Sequence, residues 1–92
     1  MHLVGKDILD RLRGRGPEID TWVSAWVAEI IHAVWTQEAD LFDQFPSARE
    51  RKTGVFIFEV NLAKCWLEVK IVFPQKIALI TALLGAEEID GH

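Results

Sequence analysis

Hydrophobic residues recur at helical spacing in the first half of the chain. Residues 5 to 14 predict a short amphipathic helix, which Gly16 and Pro17 are expected to end. A second, longer helix is predicted from about Asp20 to Trp35, because its apolar residues cover about half of the helical circumference. An apolar arc of that width is typical of a helix packed against a sheet.

The pattern changes in the second half: 55–60 is rich in β-branched and aromatic residues, and 65–73 alternates with a period of two, both of which are typical of strands. Strands are predicted at 55–60, 65–73 and 77–84, with connections at 61–64 and 74–76. The first four residues are compatible with a further strand at an edge of the sheet.

Two stretches separate the halves. EADLFDQFP predicts one short helical turn that Pro46 ends, and SARERKTG predicts a polar loop. Helices followed by strands predict an α+β fold, with two N-terminal helices packed on one face of a small antiparallel sheet of three to four strands. The 92 residues are enough for a single domain, 1–92.

The alternation in strand 65–73 divides its residues between two faces. Its odd-numbered residues are apolar and are expected to meet the helices, so that Trp66, Glu68 and Lys70 line the opposite face. Two interpretations stay open. This face either binds a partner or substrate, or it carries cross-strand packing of Trp66 beside a Glu68–Lys70 surface ion pair.

Composition limits the chemistry. The chain has 10 Lys and Arg against 14 Asp and Glu, a net charge of −4, whereas nucleic-acid binders usually carry a basic surplus. A single cysteine, Cys65, excludes an intramolecular disulfide and a multi-cysteine metal site. The three histidines lack ligand spacing, so neither a metal nor a cofactor is expected. No apolar run approaches the roughly 18 residues of a membrane span, which predicts a cytoplasmic protein.

Several short motifs follow one another in a fixed order. W-x-x-E-I begins at Trp26, A-x-W at Ala33, A-D-L at Ala39 and F-P-S-A at Phe45. V-F-x-F-E-V, N-x-x-K, V-K-I and E-x-I-D come after them. In this order they resemble the HigB family of toxins, which are RelE-type members of bacterial type II toxin–antitoxin systems. The resemblance covers nearly the whole chain.

The resemblance implies a RelE-like fold and ribosome-dependent cleavage of mRNA that a cognate antitoxin restrains. The partners it implies are therefore an antitoxin protein, mRNA and the ribosome. On the open face we expect Lys64 and Lys70 to contact phosphate and Trp66 to stack on a base. The edge strands of a small open sheet also provide a route to a homodimer or a higher homo-oligomer.

At the family's reactive positions this sequence differs. The tyrosine and arginine of the N-K-Y-R-L motif correspond to Cys65 and Trp66, and the histidine and tyrosine that follow the last strand are missing. Whether Glu87, Glu88 or His92 replaces them stays open. Two hypotheses follow: an mRNA endoribonuclease of HigB type, or a non-catalytic module that binds a protein or itself through an exposed Trp66 and Val72.

Overall fold

The computed structural model describes residues 1–60 and 64–85. In these residues the chain forms five strands: β1 (His2–Val4), β2 (Arg49–Lys52), β3 (Val55–Val60), β4 (Cys65–Val72) and β5 (Ile77–Gly85). It also forms a 3-10 helix (Lys6–Arg11) and two α-helices, α1 (Pro17–Ile31) and α2 (Glu38–Gln44). The predicted α+β class is confirmed.

The five strands form one sheet in the order β1-β5-β4-β3-β2. Strands β2 to β5 pair antiparallel with their neighbours, and β1 pairs parallel with β5. The expected antiparallel sheet of three to four strands is therefore wrong: the sheet is mixed and has five strands. The first residues do form an edge strand, as their pattern indicated, and the predicted turn at 74–76 connects β4 to β5. The connection predicted at 61–64 lies mostly outside the described residues.

The additional strand, β2, replaces the polar loop that the sequence predicted. Its four residues, Arg49–Lys52, are all exposed, so they carry no hydrophobic alternation that would reveal a strand. The strand exists because its backbone pairs with β3 at the edge of the sheet. Charged side chains on an exposed edge strand discourage pairing with other chains.

The first helical segment is shorter than predicted and has a different geometry. Gly5 has a φ of 89° and Gly14 a φ of 85°, so left-handed residues bracket the segment, and only Lys6–Arg11 is helical, as a 3-10 helix. At Gly5 a Cβ atom would lie 2.6 Å from the carbonyl oxygen of Ile80. The close approach of this residue to β5 therefore requires glycine.

Helix α1 begins about three residues and ends about four residues earlier than predicted. Pro17 occupies its first turn instead of ending the preceding helix, because proline lacks the N–H that the first turn leaves unpaired. At the other end, the amino group of Met1 donates to the carbonyl oxygens of Ile30, Ile31 and Ala33 at 3.1, 2.8 and 3.1 Å. These hydrogen bonds tie Met1 to the carboxyl end of α1.

The core lies between the helices and one face of the sheet. Trp26 of α1 meets Phe58 of β3 edge to face at 5.5 Å, and Phe42 of α2 meets Phe56 at 5.8 Å. The odd-numbered residues of β4 are buried on this side, as predicted: Cys65, Leu67, Val69 and Ile71. Both α-helices therefore cover the same face of the sheet.

Candidate functional site

The opposite face of the sheet carries Trp66, Glu68, Lys70 and Val72 of β4 together with their cross-strand neighbours, and we call it the open face. The prediction that the even-numbered residues of β4 line this face is confirmed, since they alternate with the buried core residues. The residues of the open face form cross-strand rows, which differ from one another in polarity and charge.

The row around Trp66 is largely apolar. Trp66 lies opposite Glu59 on β3 and opposite Leu84 on β5, and the Leu84 residue is only 7% exposed. Trp66 and Val72 are both half-buried, which corrects the expectation that they are fully exposed. One part of the Trp66 side chain therefore remains accessible to a stacking partner.

The central row is built around Glu68. Its carboxylate accepts a hydrogen bond from Nη1 of Arg51 at 2.8 Å and one from Oγ1 of Thr81 at 2.9 Å. The ion pair with Arg51 is partly covered, since 31% of the Arg51 side chain and 18% of the Glu68 side chain are exposed. Glu68 thus pairs with a residue of β2, and the surface pair of Glu68 with Lys70 that the sequence suggested is wrong.

The third row is cationic at its β2 end. Lys52 on β2 and Lys70 on β4 lie on either side of Val55, and Leu79 of β5 follows Lys70. With the arginines of β2, four cations gather on this part of the open face, which we call the basic edge: Arg49, Arg51, Lys52 and Lys70. Sequence reasoning did not place three of them on this face, because it assigned their segment to a loop.

The three residues predicted to bind RNA do not lie in one row. Trp66 and Lys70 share the open face four positions apart on β4, roughly 13 Å along the strand at about 3.3 Å per residue. Lys64 immediately precedes β4, is exposed and has a φ of 51°, in the left-handed region. The structure thus places Trp66 and Lys70 on one surface and Lys64 at the end of the strand that carries them.

The α-helices have the opposite charge to the basic edge. Neither α1 nor α2 contains a lysine or an arginine, and together they carry six carboxylates: Glu18, Asp20, Glu29, Glu38, Asp40 and Asp43. The net charge of −4 therefore conceals an acidic helical layer on one side of the sheet and a basic edge on the other. An anionic ligand would be attracted to one side and repelled by the other.

Two carboxylates of the helical layer have shifted pKa values. The backbone N–H of Thr36 hydrogen-bonds to Asp40 at 2.9 Å and lowers the pKa of that carboxyl from 3.8. A hydrogen bond with Glu50 raises the pKa of Glu38 from 4.5, since the bond favours the protonated form. These residues belong to helix ends and an edge strand, away from the open face.

A groove of about 470 Å³ lies between the end of α1 and α2, lined in part by His32, Val34, Trp35 and Asp40. Val34 is 84% exposed, while Trp35 is buried and donates from Nε1 to Oε1 of Gln44 at 3.0 Å. No pattern in the sequence indicated this groove, because Val34 and Trp35 were assigned to a continuous helix.

Other chemistry is limited in the described residues. Burial raises the pKa of the Cys65 thiol above 9.0, which disfavours a thiolate nucleophile. No group of three His, Cys, Asp or Glu side chains in residues 1–60 and 64–85 could hold a metal ion. No helix in this part of the chain is long and apolar enough to cross a membrane. Glu87, Glu88 and His92 lie outside the described residues.

Neither a protein-family model nor a curated protein matches this chain. The resemblance to HigB toxins therefore stays a prediction based on the order of short motifs. The geometry of the open face has to carry the functional argument by itself.

Proposed function

We propose that the protein is a HigB-like RNA-binding domain that holds single-stranded RNA on its open face. One observation carries the proposal: four cations gather on the side of the sheet that the helices leave uncovered, in a protein whose net charge is −4. Each lysine or arginine that neutralises a phosphate releases counterions, which is the main source of affinity for a nucleic acid.

The neighbouring Trp66 gives this surface a second property that RNA-binding proteins use. A half-buried indole on a sheet offers one flat side to an unstacked base, and base–aromatic stacking contributes about 1–3 kcal/mol per base. Lys70 lies on the same strand, between Trp66 and the turn at 74–76, where it can hold the backbone of the same RNA. Lys64 extends the cations to the beginning of β4.

Binding without efficient cleavage fits these residues better than endoribonuclease activity. Cutting RNA through its 2′-hydroxyl needs a base, an acid and a cation for the developing charge. The open face supplies the cation, but its carboxylate Glu68 is occupied by Arg51 and Thr81. Its second carboxylate, Glu59, lies beside Trp66 in a different cross-strand row from the cations, and the chain contains no tyrosine. We therefore propose an RNA-binding pseudoenzyme, with an antitoxin protein and ribosome-bound mRNA as its partners by family resemblance.

Fluorescence anisotropy with a labelled 12-nucleotide RNA of mixed sequence tests the proposal. We expect binding whose logarithmic dependence on salt has a slope near −0.7 for each phosphate contact. The double variant Lys64→Ala, Lys70→Ala should bind more weakly with a shallower slope, while Lys6→Ala, an exposed lysine of the 3-10 helix, should behave as wild type. Absence of wild-type binding at low salt would overturn RNA binding.

Expression without an antitoxin separates binding from cleavage. An RNA-binding pseudoenzyme leaves cellular mRNA intact, even when it slows growth. Rapid loss of mRNA that the Lys64→Ala, Lys70→Ala variant prevents would instead establish an active toxin.

Self-association is a second candidate function, and the β1 edge favours it. Val4 and Leu79 are exposed, by 39% and 37%, and lie opposite each other on β1 and β5. Half-buried Ile77 and Val72 continue this apolar patch along the next row. Light scattering of wild type, Leu79→Glu and Trp66→Arg distinguishes the alternatives. A wild-type dimer that Leu79→Glu dissociates would support this function, and a monomer at every concentration would reject it.

A further inference from the structure

Two irregularities in the sheet meet at the centre of the open face. The β2–β3 register shifts between Glu50 and Lys52, which makes Arg51 the extra residue of a bulge in β2. The β4–β5 register shifts after Glu68, and Thr81 is the extra residue of a bulge in β5. Each extra residue directs its side chain to the same carboxylate, that of Glu68. A β-bulge interrupts the hydrogen-bonded ladder and changes the direction of a side chain, and bulges are over-represented beside functional sites.

The contacts at Glu68 hold a guanidinium in one place. Oε2 of Glu68 accepts from Nη1 of Arg51 at 2.8 Å, and the single hydroxyl proton of Thr81 is shared between Oε1 of Glu68 at 2.9 Å and the backbone carbonyl oxygen of Glu68 at 3.1 Å. Because different donors occupy the two oxygens, the carboxylate has a fixed orientation, and so has the arginine that it binds. A guanidinium carries five N–H donors, and the contact with Glu68 uses only the nitrogen Nη1.

We propose that Arg51 is a phosphate-binding residue of the open face and that Glu68 and Thr81 are its positioning residues. This inference rests on the proposed function, in which an RNA phosphate reaches this face. The family resemblance would place an arginine at the position of Trp66. In this chain a guanidinium comes instead from the edge strand β2, which β3 separates from β4, and it binds Glu68, two residues along β4 from Trp66.

The surroundings keep the site attractive to an anion even though Glu68 is negative. Arg51 and Glu68 neutralise each other, while Arg49, Lys52 and Lys70 lie in the same and the next cross-strand row. A phosphate at Arg51 therefore meets a preorganised fork of donors within a cationic neighbourhood. Charge-assisted hydrogen bonds from arginine to phosphate are among the stronger polar contacts in proteins.

Arg51→Ala and a matched control, Arg13→Ala, test the proposal by anisotropy with the 12-nucleotide RNA. Arg13 also forms an ion pair, with Asp10 at 3.3 Å, but belongs to the segment after the 3-10 helix. We expect Arg51→Ala to weaken binding about tenfold and to reduce the salt slope by about 0.7, the loss of one phosphate contact. Arg13→Ala should leave both quantities unchanged. Arg51→Ala affinity and slope within error of wild type would overturn the proposal.

Two conservative variants separate positioning from a purely structural role. Arg51→Lys should restore the salt slope without restoring the affinity, because lysine lacks the planar fork. Thr81→Val keeps the shape and every charge, so it should weaken binding several-fold at an unchanged slope. If Thr81→Val lowers only the melting temperature, Thr81 is structural and its positioning role is rejected.

A titration with inorganic pyrophosphate, monitored through the NMR signals of the arginine Nε–H groups, distinguishes the phosphate site at Arg51 from RNA binding by the open face. A pyrophosphate-induced shift of the Arg51 Nε–H signal, which its absence from the Arg51→Ala spectrum assigns, supports the phosphate site. It does so even if the RNA does not bind and the proposed function fails. RNA binding by the wild type with no response at Arg51 in either experiment rejects the phosphate site and leaves the proposed function standing.

Discussion

The two faces of the sheet differ in what their large side chains do. On the helical side, Trp26 is 1% exposed and packs between Trp22 and Phe58, at 6.1 and 5.5 Å. On the open face, Trp66 is half-buried and lies between Glu59 and Leu84 of the neighbouring strands. The α-helices that carry the first tryptophan hold six carboxylates and no lysine or arginine, whereas the basic edge lies in the cross-strand rows that follow the row of Trp66. The same residue type therefore stabilises the fold on one face and is available to a ligand on the other.

The largest expected effect comes from exchanging the tryptophans for alanine. Trp26→Ala removes a buried ring from the core of a 92-residue chain and should destabilise the domain by about 3–5 kcal/mol. Trp66→Ala should cost much less stability while weakening RNA binding by about tenfold or more, through lost stacking. Urea unfolding and anisotropy on both variants measure the contrast. Equal losses of stability would show that Trp66 is a core residue.

Reversing one charge on each side of the sheet should change the RNA affinity in opposite directions. Both changes should be smaller than the effects of the tryptophan variants. Arg49→Glu removes a cation from the basic edge and should weaken RNA binding about tenfold, with a shallower salt dependence. Asp43→Lys on α2 changes the net charge by the same two units with the opposite sign. We expect it to raise affinity only slightly, because screening at physiological salt acts over about 8 Å. Similar magnitudes for the two variants would mean that net charge, and not the location of the cations, governs binding.

Within the helical layer, Asp40 should make stability depend on acid pH. Its folded pKa lies below 3.8 because Thr36 hydrogen-bonds to the charged form. The stabilising contribution is therefore complete above 3.8 and is lost as the pH falls through the folded pKa. In Asp40→Asn the unfolding free energy should depend less on pH in this acid range, as chemical denaturation at a series of pH values would measure. An NMR titration midpoint of Asp40 at or above 3.8 would contradict the assignment.

The smallest expected effect concerns Glu38, whose pKa moves in the opposite direction. The hydrogen bond with Glu50 raises the folded pKa of Glu38 above 4.5. Its contribution therefore favours folding at low pH and is lost as the pH rises through the folded pKa. Glu38→Gln keeps a hydrogen-bond donor beside Glu50 at neutral pH. A slight gain in thermal stability at pH 7, absent at pH 4, is the expected outcome of parallel melting curves. A loss at pH 7 would show that the carboxyl pair does not repel.

The sequence was informative wherever hydrophobic alternation reports burial. The faces of β4 could be predicted because Cys65, Leu67 and Val69 alternate with residues of the other face. Strand β3 could be predicted from its β-branched and aromatic residues, although four consecutive residues of it are buried. By contrast, β2 escaped prediction, since a strand with exposed residues and an edge position has no burial pattern. The basic edge escaped with it, because three of its four cations belong to that strand.

The central contacts of the open face could not be predicted for a different reason. Arg51 and Thr81 meet Glu68 only because each of two strand pairs contains one extra residue. A bulge reverses the side to which the following residues point, and no local pattern in the sequence marks either bulge. Lys70 and Trp66 were placed on the correct face, but the partner of Glu68 depended on register and could be found only in the structure.

The parallel pairing of β1 with β5 affects the order in which the parts of the domain fold. His2 pairs with Ile77 and Val4 pairs with Leu79, so the earliest strand of the chain bonds only to the latest one. Pairings between distant residues form slowly, because a large loop must close before the contacts stabilise it. During synthesis the helices can become ordered while the sheet is still missing its final ladder. The β1–β5 ladder is therefore the last part of the sheet to form, whereas β2, β3 and β4 pair with strands adjacent in sequence and can assemble before it.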